Sequence, residues 1–292
     1  MRLNIFLLYF LLFFGLQNIK INAQKLYIQL GYGNGFGVEQ KNIGANYGLF
    51  KSYKVYNYIF GPDLHLVKGS LGQGSNFGLV IGYNASKLIS FGLELSYLHS
   101  SAFGWDSTWH VSYMGHGGFG PIRDGNDWQG ASWHANVLRL IPFVKVNFKI
   151  SSFTPFVKLG MVFRLGGRMT ENFSAYYQDY APEPDFLNTE FYGGNSLGIK
   201  GEIGCENQFT RVVAFVIGIN YVHQNWSPKY STQTADYSDH LFNVNFIDNT
   251  TPYLNPDLKQ TSIAPTFKNP FSSLGFNLGF KFTLHEEKRE TK

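Results

Sequence analysis

Residues 274–284 read LGFNLGFKFTL, and this stretch decides the fold. Large apolar side chains occupy every second position, while glycine or a polar residue stands at each position between them. In a β-strand successive side chains point to opposite faces, so a period of two gives a strand with one apolar and one small or polar face. The stretch therefore predicts a two-faced β-strand.

Seven further segments repeat the pattern, which makes an all-β chain of eight strands. They are 26–37, 76–84, 89–97, 136–148, 153–165, 197–206 and 211–225. Pro142 and Pro155 fall within two of these segments. Because proline has no amide hydrogen for the ladder, we expect a local bulge or a strand end at each. The pattern predicts no helix of useful length.

The connections between these strands alternate in length along the chain. Short links lie around 85–87, 149–152 and 207–210, and long links span about 38–74, 100–134, 167–194 and 226–272. With an even number of strands, this alternation puts both chain ends and all short turns on one side. Transmembrane barrels of the bacterial outer membrane have this layout, with short periplasmic turns and long extracellular loops.

The N-terminal segment has the features of an export signal. Arg2 provides a positive start, residues 5–16 are apolar, and Ala23 is a small residue suited to cleavage. An apolar run of this length is too short for a good spanning helix, which needs roughly 20 residues. We therefore expect a signal peptide over 1–23, a barrel over 24–284 and a short polar tail over 285–292.

Charge and cysteine content exclude several functional classes. The full chain has 24 basic and 20 acidic residues, and subtracting Arg2 and Lys20 leaves 22 basic residues against 20 acidic ones. This near-balance argues against nucleic acid as a partner, because such proteins carry a concentrated basic patch. Cys205 is the sole cysteine, which excludes an internal disulfide and a cysteine-based metal site.

Alternation alone does not decide which face points outward, since a soluble lipocalin-like barrel also alternates. The apolar face here carries Leu, Phe, Ile and Tyr at nearly every position, which is too much volume for the interior of eight strands. The opposite face is mostly Gly, Ser and Asn with a few charges. The apolar face is therefore expected to face lipid.

The eight segments and the aromatic-rich ending 275–284 (GFNLGFKFTL) resemble the small OmpA/OmpX-like outer-membrane barrels of Gram-negative bacteria. The resemblance covers essentially the whole chain after the signal, and it implies a transmembrane, eight-stranded, up-and-down antiparallel barrel. It further implies contact with outer-membrane lipid and lipopolysaccharide, and recognition of the last strand by the barrel-assembly machinery. The tail 285–292 departs from the family, whose members often end on the final aromatic residue. A fold of this kind does not fix a function.

The inward face of strands three to six carries several charges, and we expect an ion-pair network there. Its predicted members are Glu94, Arg139, Lys145, Lys158, Arg164, Lys200, Glu202 and Glu206. Charges withdrawn from water persist when they are paired and hydrogen-bonded. The alternative is a narrow, porin-like, mildly cation-lined channel, although eight strands leave an interior just wide enough for side chains.

The long links contain all five tryptophans, which are Trp105, Trp109, Trp128, Trp133 and Trp226. One interpretation is an aromatic girdle at the membrane surface. The other is a partner-binding surface, because aromatic anchors within a polar rim suit interfaces and links this long are usually functional. Other outer-membrane proteins are candidate partners.

Evidence for an enzyme, metal or cofactor site is weak. Four histidines in or beside the second long link, His99, His110, His116 and His134, match no ligand spacing, and residues 124–127 (DGND) lack the remaining ligands of a calcium loop. His99 with Ser101 is a candidate for lipid hydrolysis or acyl transfer, but no acid partner accompanies the pair. Ser107 and Thr108, after Asp106, resemble an O-glycosylation acceptor.

Three hypotheses therefore follow from the sequence. The first is a non-enzymatic barrel acting through its outer loops, as an accessory subunit of an envelope complex or a surface-binding protein. The second is a small channel, and the third is a lipid-modifying enzyme. We expect no catalytic residue, metal or cofactor.

Overall fold

The computed structural model describes residues 26–38, 41–42, 68–113, 123–148, 150, 153–177, 181–235, 238–247, 261–265 and 268–284. The predicted signal peptide 1–23 and the tail 285–292 lie outside these ranges. Over the ranges just given, no helix is long and apolar enough to cross a membrane.

The strands are numbered in chain order: β1 Leu26–Gly37, β2 Lys41–Asn42, β3 Lys68–Gly69, β4 Gly74–Asn84, β5 Ile89–Ser100, β6 Phe103–Tyr113, β7 Arg123–Asn147, β8 Phe153–Tyr177, β9 Ala181–Tyr192, β10 Ser196–Gln208, β11 Val213–Trp226, β12 Tyr230–Ala235, β13 Ser238–Ile247, β14 Thr261–Pro265, β15 Asn269–Pro270 and β16 Ser273–Thr283.

Eight of these strands close into an antiparallel barrel. The order is β1, β4, β5, β7, β8, β10, β11 and β16, and β16 pairs back onto β1. The predicted all-β fold and eight-stranded antiparallel barrel are therefore confirmed. Short turns 85–88 and 209–212 join two of the neighbouring pairs, as their position in the sequence predicted.

The pairing is staggered by ten residues around the barrel. A ladder that starts at Leu26 passes through Tyr83 and Phe91 and, after five more strands, returns to β1 at Phe36. With a rise of about 3.3 Å per residue and strands about 4.8 Å apart, this stagger tilts the strands by about 40° from the barrel axis. The interior is correspondingly narrow.

The outward face of the barrel wall is apolar and exposed. Leu159 and Ile203 have exposed fractions of 65% and 67%, and their outward neighbours on every barrel strand are similar in kind. In the described barrel wall, below the level of Tyr97, no Asp, Glu, Lys or Arg occupies an outward position. A tilt of about 40° makes a segment of roughly eleven residues about 28 Å tall, close to the thickness of a bilayer's hydrocarbon layer.

The inner wall is filled by a few large side chains that lie on glycines. A Cβ atom added to Gly82 would lie 2.1 Å from Cζ of Tyr27, and one added to Gly92 would lie 2.5 Å from Cζ of Phe143. Each glycine thus leaves the space that an inward-pointing ring occupies. A cavity of about 20 Å³ remains beside Gly31 of β1, which is room for about one water molecule.

Strands β7 and β8 continue far beyond the barrel, since each is 25 residues long. Their outer halves pair with each other, β6 joins β7, and β9, β12, β13 and β14 follow β8 in that order. We call this seven-stranded extension the outer sheet. Much of the chain predicted as long links therefore forms strands.

The junction between barrel and outer sheet is a β-bulge in β8. Leu138 pairs with Gly166 but Arg139 pairs with Arg164, which leaves Leu165 as the extra residue. Gly167 has φ of +118°, and a Cβ atom there would lie 2.0 Å from the carbonyl oxygen of Asn136. Only glycine fits that position. Neither the bulge nor the strand end predicted at Pro142 occurs, because β7 passes through Pro142 without a shift of register, although its pairing with β8 is interrupted at Ile141 and Pro142.

Candidate functional site

The upper of two ion-pair groups in the lumen joins β5, β8 and β10. Lys158 Nζ lies 3.1 Å from Glu94 Oε2 and also pairs with Glu202. Lys200 Nζ lies 2.6 Å from Glu94 Oε1 and 3.6 Å from Glu202 Oε2. Asn277 of β16 donates to Glu202 Oε1 at 2.7 Å. Two carboxylates and two ammonium groups thus balance, and all four are at least 95% buried.

The lower group lies nearer the short turns and contains Glu206, Lys145 and Lys281. Lys281 Nζ lies 2.9 Å from Glu206 Oε2, and Lys145 pairs with Oε1. Lys281 also lies 4.2 Å from the ring centroid of Tyr27, a cation–π distance. Lys281 was not among the predicted members because the predicted network was confined to strands three to six, although the alternation of the last strand already placed Lys281 inward.

Two of the predicted network residues have other roles. Arg139 is buried one layer above Glu94, yet it forms none of the ion pairs recorded for the described residues, and two of its guanidinium nitrogens have no partner there. Arg164 Nη1 donates to the carbonyl oxygens of Gly193 at 2.7 Å and Gly194 at 3.1 Å. Its guanidinium also lies 4.4 Å from the ring centroid of Trp226. Arg164 therefore ties the barrel rim to the outer sheet instead of joining the network.

Above the charged layers, an apolar cluster closes the mouth of the barrel. Its members are Leu71, Leu98, Ala131, Trp133, Ala135, Val137, Met169, Phe191, Trp226 and Phe271, each no more than 5% exposed, with Phe173 packed against them. Leu71 precedes β4 and Phe271 precedes β16, whereas most other members come from β7 and β8 on the opposite side of the barrel. The cluster therefore extends across the lumen.

Two short segments, residues 69–72 and 269–272, carry Leu71 and Phe271 into the mouth, and we call them the straps. Ser70 Oγ donates to the carbonyl oxygen of Ser272 at 2.7 Å. The amide of Leu71 donates to the carbonyl oxygen of Pro270 at 3.0 Å, and the amide of Phe271 donates to the backbone carbonyl oxygen of Gln224 at 2.8 Å. The straps are thus bonded to each other and to β11.

The structure corrects the proposed role of two tryptophans. Trp133 and Trp226 are each 1% exposed and lie within the apolar cluster. Trp226 Nε1 donates to the carbonyl oxygen of Gly193 at 2.8 Å. Buried side chains of this kind offer no surface to a partner. The side chains of the other three predicted contact residues, Trp105, Trp109 and Trp128, lie outside the described residues.

The outward face of the outer sheet is polar. Arg168 Nη1 lies 2.6 Å from Glu190 Oε1, and Asn188 Nδ2 donates to Asn172 Oδ1 at 2.9 Å. Asn136, at the base of this face, lies with its Oδ1 2.6 Å from His99 Nδ1. The alternation along β7 therefore reverses beyond Leu138: polar side chains point outward, and apolar ones point into the cluster.

Of the four histidines singled out in the sequence, His99 and His134 are brought together on this polar face. Partial burial lowers the pKa of the His134 imidazole, and the neighbouring His99 and Arg168 lower it further. The side chain of His110 and all of His116 lie outside the described residues, as do the side chains of Asp124, Asp127, Ser107 and Thr108. Over the described part of the chain, no group of three or more His, Cys, Asp or Glu is placed to hold a metal ion.

Glu171 was not predicted as a site residue, and it is the one carboxyl in the apolar region of the mouth among the described side chains. It is 5% exposed, and it pairs in register with Trp133 on β7 and Thr189 on β9. Its Oε1 has no hydrogen-bond partner in the described structure. Burial raises the pKa of Glu171 to about 7, and a hydrogen bond with Trp133 opposes that shift.

No protein-family model and no curated protein matches the chain. Among solved structures, it is similar to the outer membrane protease OmpT of Escherichia coli, with 11% identity, a TM-score of 0.34, and coverage of 72% of this chain and 63% of OmpT. A major outer membrane protein of Thermus thermophilus shows 11% identity and a TM-score of 0.34, covering 88% and 98% of the two chains. A FadL homologue of Pseudomonas aeruginosa shows 9% identity and a TM-score of 0.19, covering 89% and 91%.

Proposed function

We propose that this chain is a non-conducting, non-enzymatic barrel of the bacterial outer membrane that presents the outer sheet to partners outside the cell. On this proposal the barrel is an anchor, and recognition takes place on the outer sheet. The observation that carries it is the double closure of the lumen, by the two ion-pair groups and by the apolar cluster above them.

The closed lumen is the argument against the channel hypothesis. Conduction needs a continuous polar path, but the apolar cluster interrupts it at the mouth. Below the cluster, the lysines and carboxylates pair with one another across the interior, and the cavity beside them has a volume of about 20 Å³. Side chains of a narrow eight-stranded barrel are expected to fill it in this way.

The membrane location is supported by the apolar outward face. A soluble monomer rarely exposes an apolar patch larger than a few hundred Å², whereas here exposed Leu, Ile, Val and Phe surround the wall on all eight strands. In a lipid bilayer the same surface is favourable, and a closed barrel leaves no strand edge unpaired within the hydrocarbon. We propose outer-membrane lipid and lipopolysaccharide as surrounding partners, and the barrel-assembly machinery as a partner during insertion.

The outer sheet is proposed as the interaction surface because β7 and β8 extend well beyond the length that a membrane requires. A transmembrane β-strand needs about 9–11 residues, and these strands have 25 each. Its polar outward face carries the exposed Arg168–Glu190 pair and the Asn172–Asn188 amide pair. Other outer-membrane proteins are the proposed partners, and no catalytic role is assigned to His99 or Ser101.

The channel test is conductance of the purified full chain in planar bilayers. We expect no reproducible steps, and steady unitary conductance would overturn the closed-lumen proposal. As a control, a variant with Glu94, Lys158, Lys200 and Glu202 all changed to Ala removes the upper ion-pair group and tests whether the apolar cluster and the lower ion-pair group still block the lumen.

The interaction test is affinity purification of the full chain after mild-detergent extraction. A stoichiometric partner that is lost in an Arg168→Ala/Glu190→Ala variant would support the outer sheet as its binding surface. The matched control is Lys87→Ala, which changes an exposed charge in a short turn on the other side of the barrel. Recovery of the chain alone, or equal loss of the partner in both variants, would contradict the proposal.

A further inference from the structure

We infer that the apolar cluster at the mouth is a pH-sensitive closure, in which protonated Glu171 keeps the two straps packed and ionised Glu171 releases them. This inference does not depend on the proposed function, because it concerns only the mouth and its straps. It rests on the position of Glu171, a carboxyl with an unpartnered oxygen in an otherwise apolar region of the outer sheet.

Among the described residues, the surroundings of Glu171 provide no counter-charge. Along β8 its inward-facing neighbours are Met169 and Phe173, and Trp133 and Thr189 flank it on β7 and β9. From the straps and β11, the cluster contributes Leu71, Phe271 and Trp226. The described charged and titratable groups nearby have other partners or face away. Arg164 donates to backbone carbonyls, and His134, Arg168 and Glu190 lie on the outward face of the sheet.

An ionised carboxylate in such a place is unfavourable, since burial without a described counter-charge penalises the charged form by more than the hydrogen bond with Trp133 offsets. Two responses remain: the carboxyl takes up a proton, or the cluster opens and water reaches it. The straps are the elements best able to move, because they are short segments that reach the cluster through Leu71 and Phe271 and are held by a few backbone hydrogen bonds, among them the two-residue pairing of β15 with β11. Opening therefore means departure of the straps from the mouth.

The direction of the pH effect follows from the difference in pKa between the two states. In the closed state the pKa of Glu171 is about 7, and in an open, hydrated mouth it returns to its ordinary value of 4.5. Below about pH 4.5 both states hold the proton and closure is at its strongest. Between about 4.5 and 7 opening releases a proton, so the opening constant rises about tenfold per pH unit. Above pH 7 the opening constant levels off at about 300 times its value at low pH.

The test is hydrogen exchange of the Leu71 and Phe271 amides in the full chain, reconstituted in lipid and measured from pH 4.5 to 8. After correction for the chemical exchange rate, we expect protection to fall by about two orders of magnitude between pH 4.5 and 8, with most of the fall between pH 5 and 7. In Glu171→Gln, which cannot ionise, the same amides should show protection that is independent of pH.

Glu190→Gln is the matched control, because Glu190 is an exposed carboxyl on the opposite face of the same sheet. It should retain the pH dependence of the unaltered chain. A pH dependence that persists in Glu171→Gln would overturn the inference, as would constant protection in the unaltered chain. Because the amide introduced by Glu171→Gln itself needs hydrogen-bond partners, retention of the folded barrel is checked by gel mobility without boiling. If that variant does not fold, Glu171→Met fills the apolar site instead and is measured in the same way.

Discussion

The upper ion-pair group gives the sharpest test of the barrel interior, through the substitution Glu94→Gln. In the native group, the Glu94 and Glu202 carboxylates face the Lys158 and Lys200 ammonium groups, and all four are at least 95% buried. Glutamine removes one charge and leaves two lysines with a single carboxylate. Loss of one partner from a buried pair typically costs about 3–5 kcal/mol in the free energy of unfolding.

The outer sheet offers a control with the same chemistry and different burial. The side chains of Arg168 and Glu190 are 57% and 39% exposed, although their charged atoms lie only 2.6 Å apart. Exposed pairs are worth about 0–1 kcal/mol, so Glu190→Gln should have little effect. The free energy of unfolding is measured by urea titration of the full chain in phospholipid vesicles, followed by tryptophan fluorescence and gel mobility.

A third variant separates charge imbalance from lost packing. Glu94→Gln combined with Lys200→Met restores one ammonium group to one carboxylate, and we expect it to be less destabilised than Glu94→Gln alone. If Glu94→Gln costs no more than Glu190→Gln, then water screens the lumen charges and our account of a dry, closed interior is refuted.

Three further predictions concern the outward wall, the inner wall and the junction with the outer sheet. Leu159→Arg, midway up the lipid-facing wall, should destabilise the barrel by about 2–4 kcal/mol in vesicles; a change within about 0.5 kcal/mol would instead indicate a water-exposed surface. Gly82→Val should cost about 1–3 kcal/mol by displacing the Tyr27 ring, whereas Gly78→Ala, whose added Cβ meets nothing nearer than 3.8 Å, should be tolerated; urea titration compares the two. Arg164→Lys loses the hydrogen bonds of the planar guanidinium to the backbone carbonyls of Gly193 and Gly194, and it should lower the free energy of unfolding by about 1–3 kcal/mol. We expect faster hydrogen exchange at the barrel rim, and unchanged exchange would contradict the role of Arg164 in joining the rim to the outer sheet.

The eight barrel strands could be predicted from the sequence because lipid imposes a simple rule. Outward positions in lipid are apolar, and most inward positions in segments such as 274–284 are small or polar, so the period of two is nearly unbroken there. The turns were equally readable, since only short links can join adjacent antiparallel strands at the inner end. Charged residues at inward positions, such as Glu94 and Lys158, followed from the same alternation.

The outer sheet could not be predicted in this way, because the alternation reverses where β7 leaves the membrane. Leu138 is apolar and outward, but its neighbour Val137 is apolar and inward, and Trp133 and Ala135 continue that inward series. On the proposed membrane location, water replaces lipid around this part of the chain, so the outward face becomes polar and the apolar face turns toward the mouth. The alternation that places apolar residues outward therefore stops at Leu138, and the part of β7 before this residue looks like a long link in the sequence. Glu171 was missed for the same reason.

The continuous β7–β8 ladder has a mechanical consequence. From Trp128–Tyr176 to Asn147–Phe156 the two strands run side by side with one register shift, at Leu165, and their pairing is interrupted at Ile141 and Pro142. At about 3.3 Å per residue, each of the two 25-residue strands is about 80 Å long. Force applied to the outer sheet is therefore transmitted directly into the barrel wall, and bending is concentrated at one bulge near the membrane surface. A partner held by the outer sheet would be held at an angle to the membrane that this bulge determines.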